Sequence, residues 1–356
     1  MRTRWPLVLK CSCTMALFVS TLQSFGQATD RQPKTGSGRM TAKELLSWLP
    51  DDTETVIAAN GPFAFPDFAG LEWNDSEQQL SLAELEARMR SLPLGLFDLK
   101  NGGLAKGLKG KEVTLAVEGS RHFRPPAALG GMRYEGCEII VFNPAITLDR
   151  ASFMRNATAT AVRSENIAGL KVTVFEEPQE DNVWTTFVGF PRDNTVLVAT
   201  NADYLRTVLL RMAHASEPRA LPGDLAEWKY VNTGTPVWGL RHYQRLNADL
   251  DPTSPFSGQH AANVPDDSAV GLGFWFEPAG RMAHVIYMSA SKDARQVLQS
   301  YLGLADAESA SPRELQIRLR ELAPSVVEGS VELSPAEVFS RFLFGLLAML
   351  GRAVYL

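Results

Sequence analysis

The densest group of side chains that could bind a ligand is a run of hydrogen-bond donors directly after an apolar strand pattern. It consists of Arg241, His242, Tyr243, Gln244 and Arg245. Guanidinium and imidazolium groups at a strand end can together bind an anion. A solvated strand exit is the alternative interpretation. The sequence therefore makes Arg241 and His242 candidate binding residues, and it assigns neither of them a catalytic role.

A long loop supplies a third candidate, His260. Residues 251–267 contain Pro, Gly, Ser and Asp but no apolar periodicity. Loops longer than about a dozen residues are usually functional or disordered, and the sequence leaves both possibilities open. A hydrolase-type enzyme would require Arg241, His242 and this loop to converge in three dimensions.

Other chemistries lack the spacing they need. No two of the five histidines stand at metal-ligand spacing on one element, so no metal site is expected. The basic segment 103–111 resembles a phosphate loop, but Ala105 replaces the first glycine and Glu112 stands where Ser or Thr should follow. There is no Gly-x-Ser-x-Gly turn for a hydrolase nucleophile. The sequence thus predicts no catalytic residue, no metal and no cofactor, and favours a protein that is not an enzyme.

The N-terminus has the pattern of a signal peptide. A basic start precedes an apolar region over residues 7–22, and Gly26-Gln27-Ala28 has the small-x-small pattern of a cleavage site. We therefore expect residues 1–28 to be removed and residues 29–40 to form a flexible leader. The protein would be exported to the periplasm, the cell envelope or the extracellular space. An uncleaved N-terminal membrane anchor is the alternative.

The charge of the chain limits which partners it can bind, and its cysteine content limits which disulfides it can form. The chain carries 35 Lys and Arg against 40 Asp and Glu. Loss of Arg2, Arg4 and Lys10 would bring the mature net charge to about −8. An acidic chain without a basic stripe is not expected to bind nucleic acid. Cys137 would be the one cysteine left, so an internal disulfide is excluded and a buried thiol is expected.

The elements that position these residues suggest two related halves. Thr195 begins a β-branched strand that leads into a helix capped by Asn201, with Asp203 in its first turn. A similar strand and helix occupy residues 325–347. We therefore predict an α+β fold of two pattern-related halves, each a mainly antiparallel sheet with helices packed on one face. The predicted bounds are 41–215 for the first half, 216–224 for the linker and 225–356 for the second half.

Several local sequence patterns predict where helices and strands begin or end. Capping-box spacing begins at Thr41, Ser81 and Ser311. The last of these predicts a helix that runs to about Leu322. Residues 61–62, Gly-Pro, predict the end of the first strand.

The C-terminal helix carries an apolar run that begins at Phe342 and ends at Leu350. Arg341 and Arg352 bracket it, and ten residues are too few to span a bilayer. A buried core helix or a homo-oligomer interface through this run is therefore favoured over a tail that dips into a membrane. No transmembrane span is expected in the mature chain.

Two segments suggest a family. Residues 45–56, LLSWLPDDTETV, resemble the start of a loose group of exported bacterial proteins of unknown function, in which a Leu-Pro-x-Asp-Thr entry precedes the first strand. The valine-rich strand and helix at 195–205 are similar to a segment that recurs in that group. The resemblance implies no activity or ligand. The sequence as a whole predicts an exported, acidic, non-catalytic protein that binds an unknown protein or small ligand, with the hydrolase and the anchored envelope protein as alternatives.

Overall fold

The computed structural model describes eleven segments of the chain: residues 40–66, 80–95, 107–123, 133–143, 161–178, 183–214, 218–243, 269–290, 294–301, 317–333 and 336–350. Residues 40–356 form one compact unit. The predicted signal peptide, nearly all of the leader and the candidate His260 lie outside the described residues.

Twelve strands in the described part of the chain form one sheet. They are β1 (Thr55–Ala64), β2 (Glu112–Phe123), β3 (Arg133–Phe142), β4 (Ala161–Ile167), β5 (Leu170–Pro178), β6 (Val183–Arg192), β7 (Thr195–Ala199), β8 (Val237–His242), β9 (Ala269–Glu277), β10 (Met282–Ser289), β11 (Arg318–Ala323) and β12 (Val326–Glu332). Their spatial order is β11-β12-β10-β9-β8-β1-β2-β3-β7-β6-β5-β4. Every pairing between neighbours is antiparallel. This confirms the predicted α+β class with a mainly antiparallel sheet.

The two halves meet where β1 pairs with β8, so their strands form one continuous sheet. Counted outward from this junction, the first half runs β1, β2, β3, β7, β6 and the second runs β8, β9, β10, β12, β11. The strand order is therefore the same in both halves, and β5 and β4 extend the first. The position of the linker at 216–224 stays a prediction.

Helices cover both faces of the sheet instead of the one face expected. The described α-helices are α1 (Ala42–Leu46), α2 (Leu82–Arg90), α3 (Ala202–Ala213), α4 (Ala294–Tyr301) and α5 (Ala336–Met349). The apolar side chains of α2, α4 and α5 pack on what we call face A, and those of α1 and α3 pack on face B. Both faces need cover because the central strands are apolar on both sides, as in β7, where every residue is buried.

Local capping signals were accurate. The capping boxes that begin at Thr41 and Ser81 are both formed, and Asn201 accepts hydrogen bonds from the backbone of Asp203 and Tyr204. The strand and capped helix predicted from Thr195 onward are thus confirmed as β7 and α3. The similar pair in the second half, β12 and α5, differs in one respect, because α5 packs on face A and α3 on face B.

Two predicted element boundaries were wrong. The helix expected to end near Leu322 is replaced there by β11, because this stretch pairs with β12 across a tight turn. Long-range strand pairing here outweighs the local helix signal. The first strand continues past residues 61–62 to Ala64, since a bulge between Asn60 and Phe63 restores its pairing with β2.

The apolar run of the C-terminal helix is part of the core. Phe342, Leu346, Met349 and Leu350 are all buried in the core on face A. The chain's own sheet thus covers these four side chains, as the core-helix alternative expects. A homo-oligomer through Phe342–Leu350 stays a prediction. Among the described helices, none has both the length and the hydropathy that crossing a membrane requires.

Candidate functional site

The structure separates the two candidate residues of β8. Successive side chains of a strand point to opposite faces. Arg241 therefore faces side A, where it is buried, and its Nη1 donates to the carbonyl of Met349 at 2.9 Å. Its guanidinium also lies 4.5 Å from the ring centroid of Tyr243. His242 faces side B, so the predicted anion-binding pair of Arg241 and His242 is not formed.

His242 instead pairs with a buried carboxylate. Its Nδ1 lies 2.5 Å from Oε1 of Glu227, which belongs to a short 3-10 turn at Ala226–Lys229. The Glu227 side chain is 3% exposed, whereas that of His242 is 30% exposed. Gly271 of β9, directly opposite His242, makes room for the carboxylate, because a Cβ there would overlap the Glu227 side chain. The pair therefore depends on a glycine of the neighbouring strand.

The surroundings favour the protonated imidazole. The hydrogen bond with Glu227 raises the pKa of His242, burial opposes this, and the charges of Glu227 and Glu54 add to the increase. Because Nδ1 faces the buried carboxylate, the exposed side of the ring is the one that carries Nε2. No described residue forms a hydrogen bond to Nε2. In the protonated ring, which this contact favours, both ring nitrogens carry hydrogens, and Nε2–H is the donor without a described partner.

His242 is one end of a row of polar side chains that crosses the junction of the two halves on face B. The strand registers place Glu54 opposite both His242 and Arg121, and Arg121 opposite Glu135. Arg121 Nε donates to Glu135 at 2.9 Å and Nη1 contacts Asp52. Asn201, the cap of α3, donates to the other oxygen of Glu135 at 2.8 Å. We call this the polar row; its members are Asn201, Glu135, Arg121, Asp52, Glu54, His242 and Glu227.

The charges of the polar row argue against an anionic ligand. Four carboxylates, those of Asp52, Glu54, Glu135 and Glu227, stand against the cation Arg121 and, when it is protonated, His242. An incoming anion would meet more negative than positive charge. An uncharged acceptor, such as a carbonyl oxygen, can accept a hydrogen bond from His242 without being repelled by these carboxylates.

A segment that we call the strap, residues 218–236, holds Glu227 in place over β8 and β9. Val231 of the strap fills the space above Gly273, where a Cβ would overlap it. Trp228 meets Trp238 of β8 edge to face, with ring centroids 5.8 Å apart. Asn60 of β1 donates to the carbonyls of Thr233 at 3.1 Å and Thr235 at 2.7 Å. The strap is therefore packed against the sheet along its length.

A second histidine–carboxylate pair lies on the same face, farther out in the second half. Nδ1 of His284 is 2.9 Å from Oε1 of Glu328, and Oε2 of Glu328 accepts from Arg320 Nε at 2.9 Å. The other ring nitrogen lies 3.5 Å from Glu277. The His284 ring stacks on Trp275 with centroids 4.7 Å apart. This histidine has neighbours on both nitrogens and on one ring face.

Some buried ionisable residues escaped the sequence analysis. Glu118 and Glu138 face each other across β2 and β3, fully buried on face A, and burial raises the pKa of Glu118 well above its usual range. A charged residue inside an apolar strand pattern was the signal available for both. Glu227 gave no signal, because it lies in a polar, proline-containing stretch. Cys137 is buried as expected, and burial raises the pKa of its thiol.

The described residues do not assemble a hydrolase triad or a metal centre. Neither His242 nor His284 forms a hydrogen bond to a Ser, Thr or Cys side chain within this part of the structure. No group of three or more His, Cys, Asp or Glu side chains there could hold a metal ion. What the polar row offers chemically is an oriented imidazole, whose Nε2 is a hydrogen-bond donor when the ring is protonated.

Comparison with known proteins gives little further identification. No family model matches the chain, and no curated protein matches it. Solved structures of TP0453 are similar in outline. Crystal form IV gives a TM-score of 0.41 at 12% identity over 84% of this chain and 95% of that one. Crystal form III gives a TM-score of 0.41 at 11% identity, over 84% of this chain and 96% of that one.

Proposed function

We propose that the protein is an exported, non-catalytic binding protein whose ligand contacts His242 through an uncharged hydrogen-bond acceptor. The observation that carries this proposal is the Glu227–His242 pair, in which a buried carboxylate fixes a ring that is itself 30% exposed. A side chain held in this way loses little further freedom when it binds, which favours affinity. The excess of carboxylates in the polar row selects a neutral acceptor over an anion.

Nuclear magnetic resonance of the His242 ring tests this site. We expect N,N-dimethylacetamide, a neutral acceptor, to shift the His242 resonances in a saturable way. Acetate and inorganic phosphate at the same concentration should shift them less. The substitution His242→Gln should leave the remaining histidines unresponsive to the amide, and His284→Gln is the matched control that should keep the response. Equal responses of His242 and His284, or a larger response to phosphate, would refute the proposal.

Export is supported by the basic, apolar and small-residue pattern of residues 1–28. We expect the mature chain to begin near Thr29 and to be found in the soluble part of the exported fraction. N-terminal sequencing of the protein from fractionated cells measures this. A full-length chain that stays with the membrane would instead support the anchored envelope protein.

A further inference from the structure

The hydrogen bond between His242 and Glu227 decides which ring nitrogen gains and loses the proton. Nδ1 lies 2.5 Å from Oε1 of Glu227, whose side chain is 3% exposed. A carboxylate oxygen at this distance accepts a hydrogen bond, so Nδ1 keeps its hydrogen whether the ring is protonated or neutral. The other neutral tautomer would turn the lone pair of Nδ1 toward a buried negative charge. The proton is therefore gained and lost at Nε2.

Nε2 of His242 is in contact with solvent, which distinguishes it from the same atom of His284. Among the described residues, Nε2 of His284 is buried without a hydrogen bond, whereas Nε2 of His242 is not one of the buried atoms in that condition. The hydrogen bond described for the His242 ring is the one at Nδ1. Because Nε2 of His242 has no described partner and yet is not a buried unpaired atom, a small ligand can reach it.

The chemical character of Nε2 changes when the proton leaves. In the protonated ring Nε2 carries a hydrogen and donates, and in the neutral ring it carries a lone pair and accepts. The hydrogen bond with Glu227 raises the pKa of His242, although burial of the ring opposes the increase. The change from donor to acceptor is therefore expected above the usual histidine value of about 6.5.

The groups around the ring leave neutral ligands to respond to this change. The titratable and charged side chains of the elements packed around the ring are Glu227 of the strap, Glu54 at the entry to β1, and Arg121 with Asp52 farther along the polar row. Opposite His242, β9 has Gly271, and the neighbouring Arg241 points to face A. The excess of carboxylates disfavours anions whether or not His242 is protonated.

We propose that the loss of one proton from His242 reverses the hydrogen-bonding preference of the site, so that the protonated ring binds acceptors such as carbonyl oxygens and the neutral ring binds donors such as amide N–H groups. A carbonyl ligand is thus held at lower pH and released as the pH rises. Glu227 stays in place in both states, because it accepts from Nδ1 in each of them. This inference rests on the proposed function, since it adds regulation by pH to the same site.

Nitrogen-15 nuclear magnetic resonance of the His242 ring in the full mature chain tests the inference. A pH titration gives the pKa of His242, and the neutral ring should carry its hydrogen on Nδ1. N,N-Dimethylacetamide, which only accepts, should bind about tenfold more weakly one pH unit above that pKa than well below it, because its affinity follows the protonated fraction. By linkage, saturating dimethylacetamide should raise the pKa of His242.

A donor probe tests the opposite arm. Pyrrole donates through its N–H, so it should bind the neutral ring in preference to the protonated ring and lower the pKa of His242. N-Methylpyrrole lacks the N–H and is the matched control that should do neither. Glu227→Gln keeps an oxygen beside Nδ1 but removes the charge, so it should move the change from donor to acceptor to lower pH. Glu328→Gln, at the His284 pair, should leave the change where it is.

The outcomes separate this inference from the proposed function. A neutral ring with its hydrogen on Nε2, or dimethylacetamide binding that does not change with pH, overturns the inference and leaves the proposed function standing. Both results come from the wild-type chain, so they decide the matter even if Glu227→Gln fails to fold. A folded Glu227→Gln chain in which the pKa of His242 is unchanged overturns the role given to Glu227. No response of the protonated ring to dimethylacetamide overturns both proposals.

Discussion

Two histidine–carboxylate pairs on face B show how the same contact can produce different surfaces. In both, Nδ1 meets a glutamate oxygen, at 2.5 Å for His242 and 2.9 Å for His284. Glu328 comes from the neighbouring strand, is shared with Arg320, and lies beside a histidine stacked on Trp275. Glu227 comes from the strap. The His284 side chain is 16% exposed and that of His242 is 30% exposed.

The two pairs differ in whether the second ring nitrogen of the histidine is still available to bind a ligand. His284 has Glu277 near its second nitrogen, whereas His242 has no described partner there. For His284, whose partner Glu328 also lies on a strand, a neighbouring side chain of the sheet therefore lies near the second ring nitrogen. For His242, whose partner Glu227 lies in the strap, the second ring nitrogen stays available for a ligand. The comparison predicts that the His242 pair depends on the strap and that the His284 pair does not.

The substitution Gly271→Ala should produce the largest difference between the two pairs. The new Cβ would overlap Glu227 and force the strap off β9. We expect the free energy of unfolding to fall by about 2–3 kcal/mol, in the range of overpacking a core. Urea denaturation measures this. Gly329→Ala, next to Glu328, is the control. Its Cβ would come no closer than 3.3 Å to a neighbour, so a loss equal to that of Gly271→Ala would contradict the argument.

A smaller effect should follow from neutralising each carboxylate. Glu227→Gln replaces a charge-assisted hydrogen bond in a buried place, and we expect a loss of about 1–2 kcal/mol in the free energy of unfolding at pH 6. Glu328→Gln should lose about 1 kcal/mol or less, since its partner Arg320 is 72% exposed and exposed ion pairs contribute little. Thermal and urea unfolding of both variants would show the order. The reverse order would mean that the strap contact is the weaker one.

The smallest expected effect is on how the free energy of unfolding depends on pH. The pKa of His242 is raised in the folded protein, chiefly by its hydrogen bond with Glu227. Its stabilising contribution is therefore complete below the unfolded value of about 6.5 and is lost as the pH rises through the folded value. We expect unfolding measured from pH 5.5 to 9 to show this loss. The loss should vanish in both His242→Gln and Glu227→Gln, and its persistence in either would assign it to another group.

Sequence patterns predicted the local parts of this structure and missed the long-range ones. The caps at Thr41, Ser81 and Asn201 depend on residues two or three positions away, so spacing alone identified them. The pairing of β11 with β12 lay outside the reach of the capping-box signal at Ser311. Arg241 and His242 are adjacent in the chain, but strand alternation points their side chains to opposite faces of the sheet, so adjacency in sequence does not bring them together.

The partner of His242 could not be predicted for a physical reason. Glu227 lies 15 residues earlier, and its burial depends on the path of the strap and on the missing side chain of Gly271. Neither leaves a periodic pattern in the sequence.

The junction between β1 and β8 also has a consequence for how the chain reaches its fold. Residues 65–236 separate the end of β1 from the start of β8, its partner in the centre of the sheet. At synthesis rates of about 5–20 residues per second, β8 follows β1 by about 9–35 s. A β1 strand that forms during synthesis has no partner on one side for that time, including the backbone of Val56 to Ala59 that later pairs with β8. The centre of the finished sheet is thus a temporary edge in the growing chain, and an edge of this kind can pair with other unfolded chains.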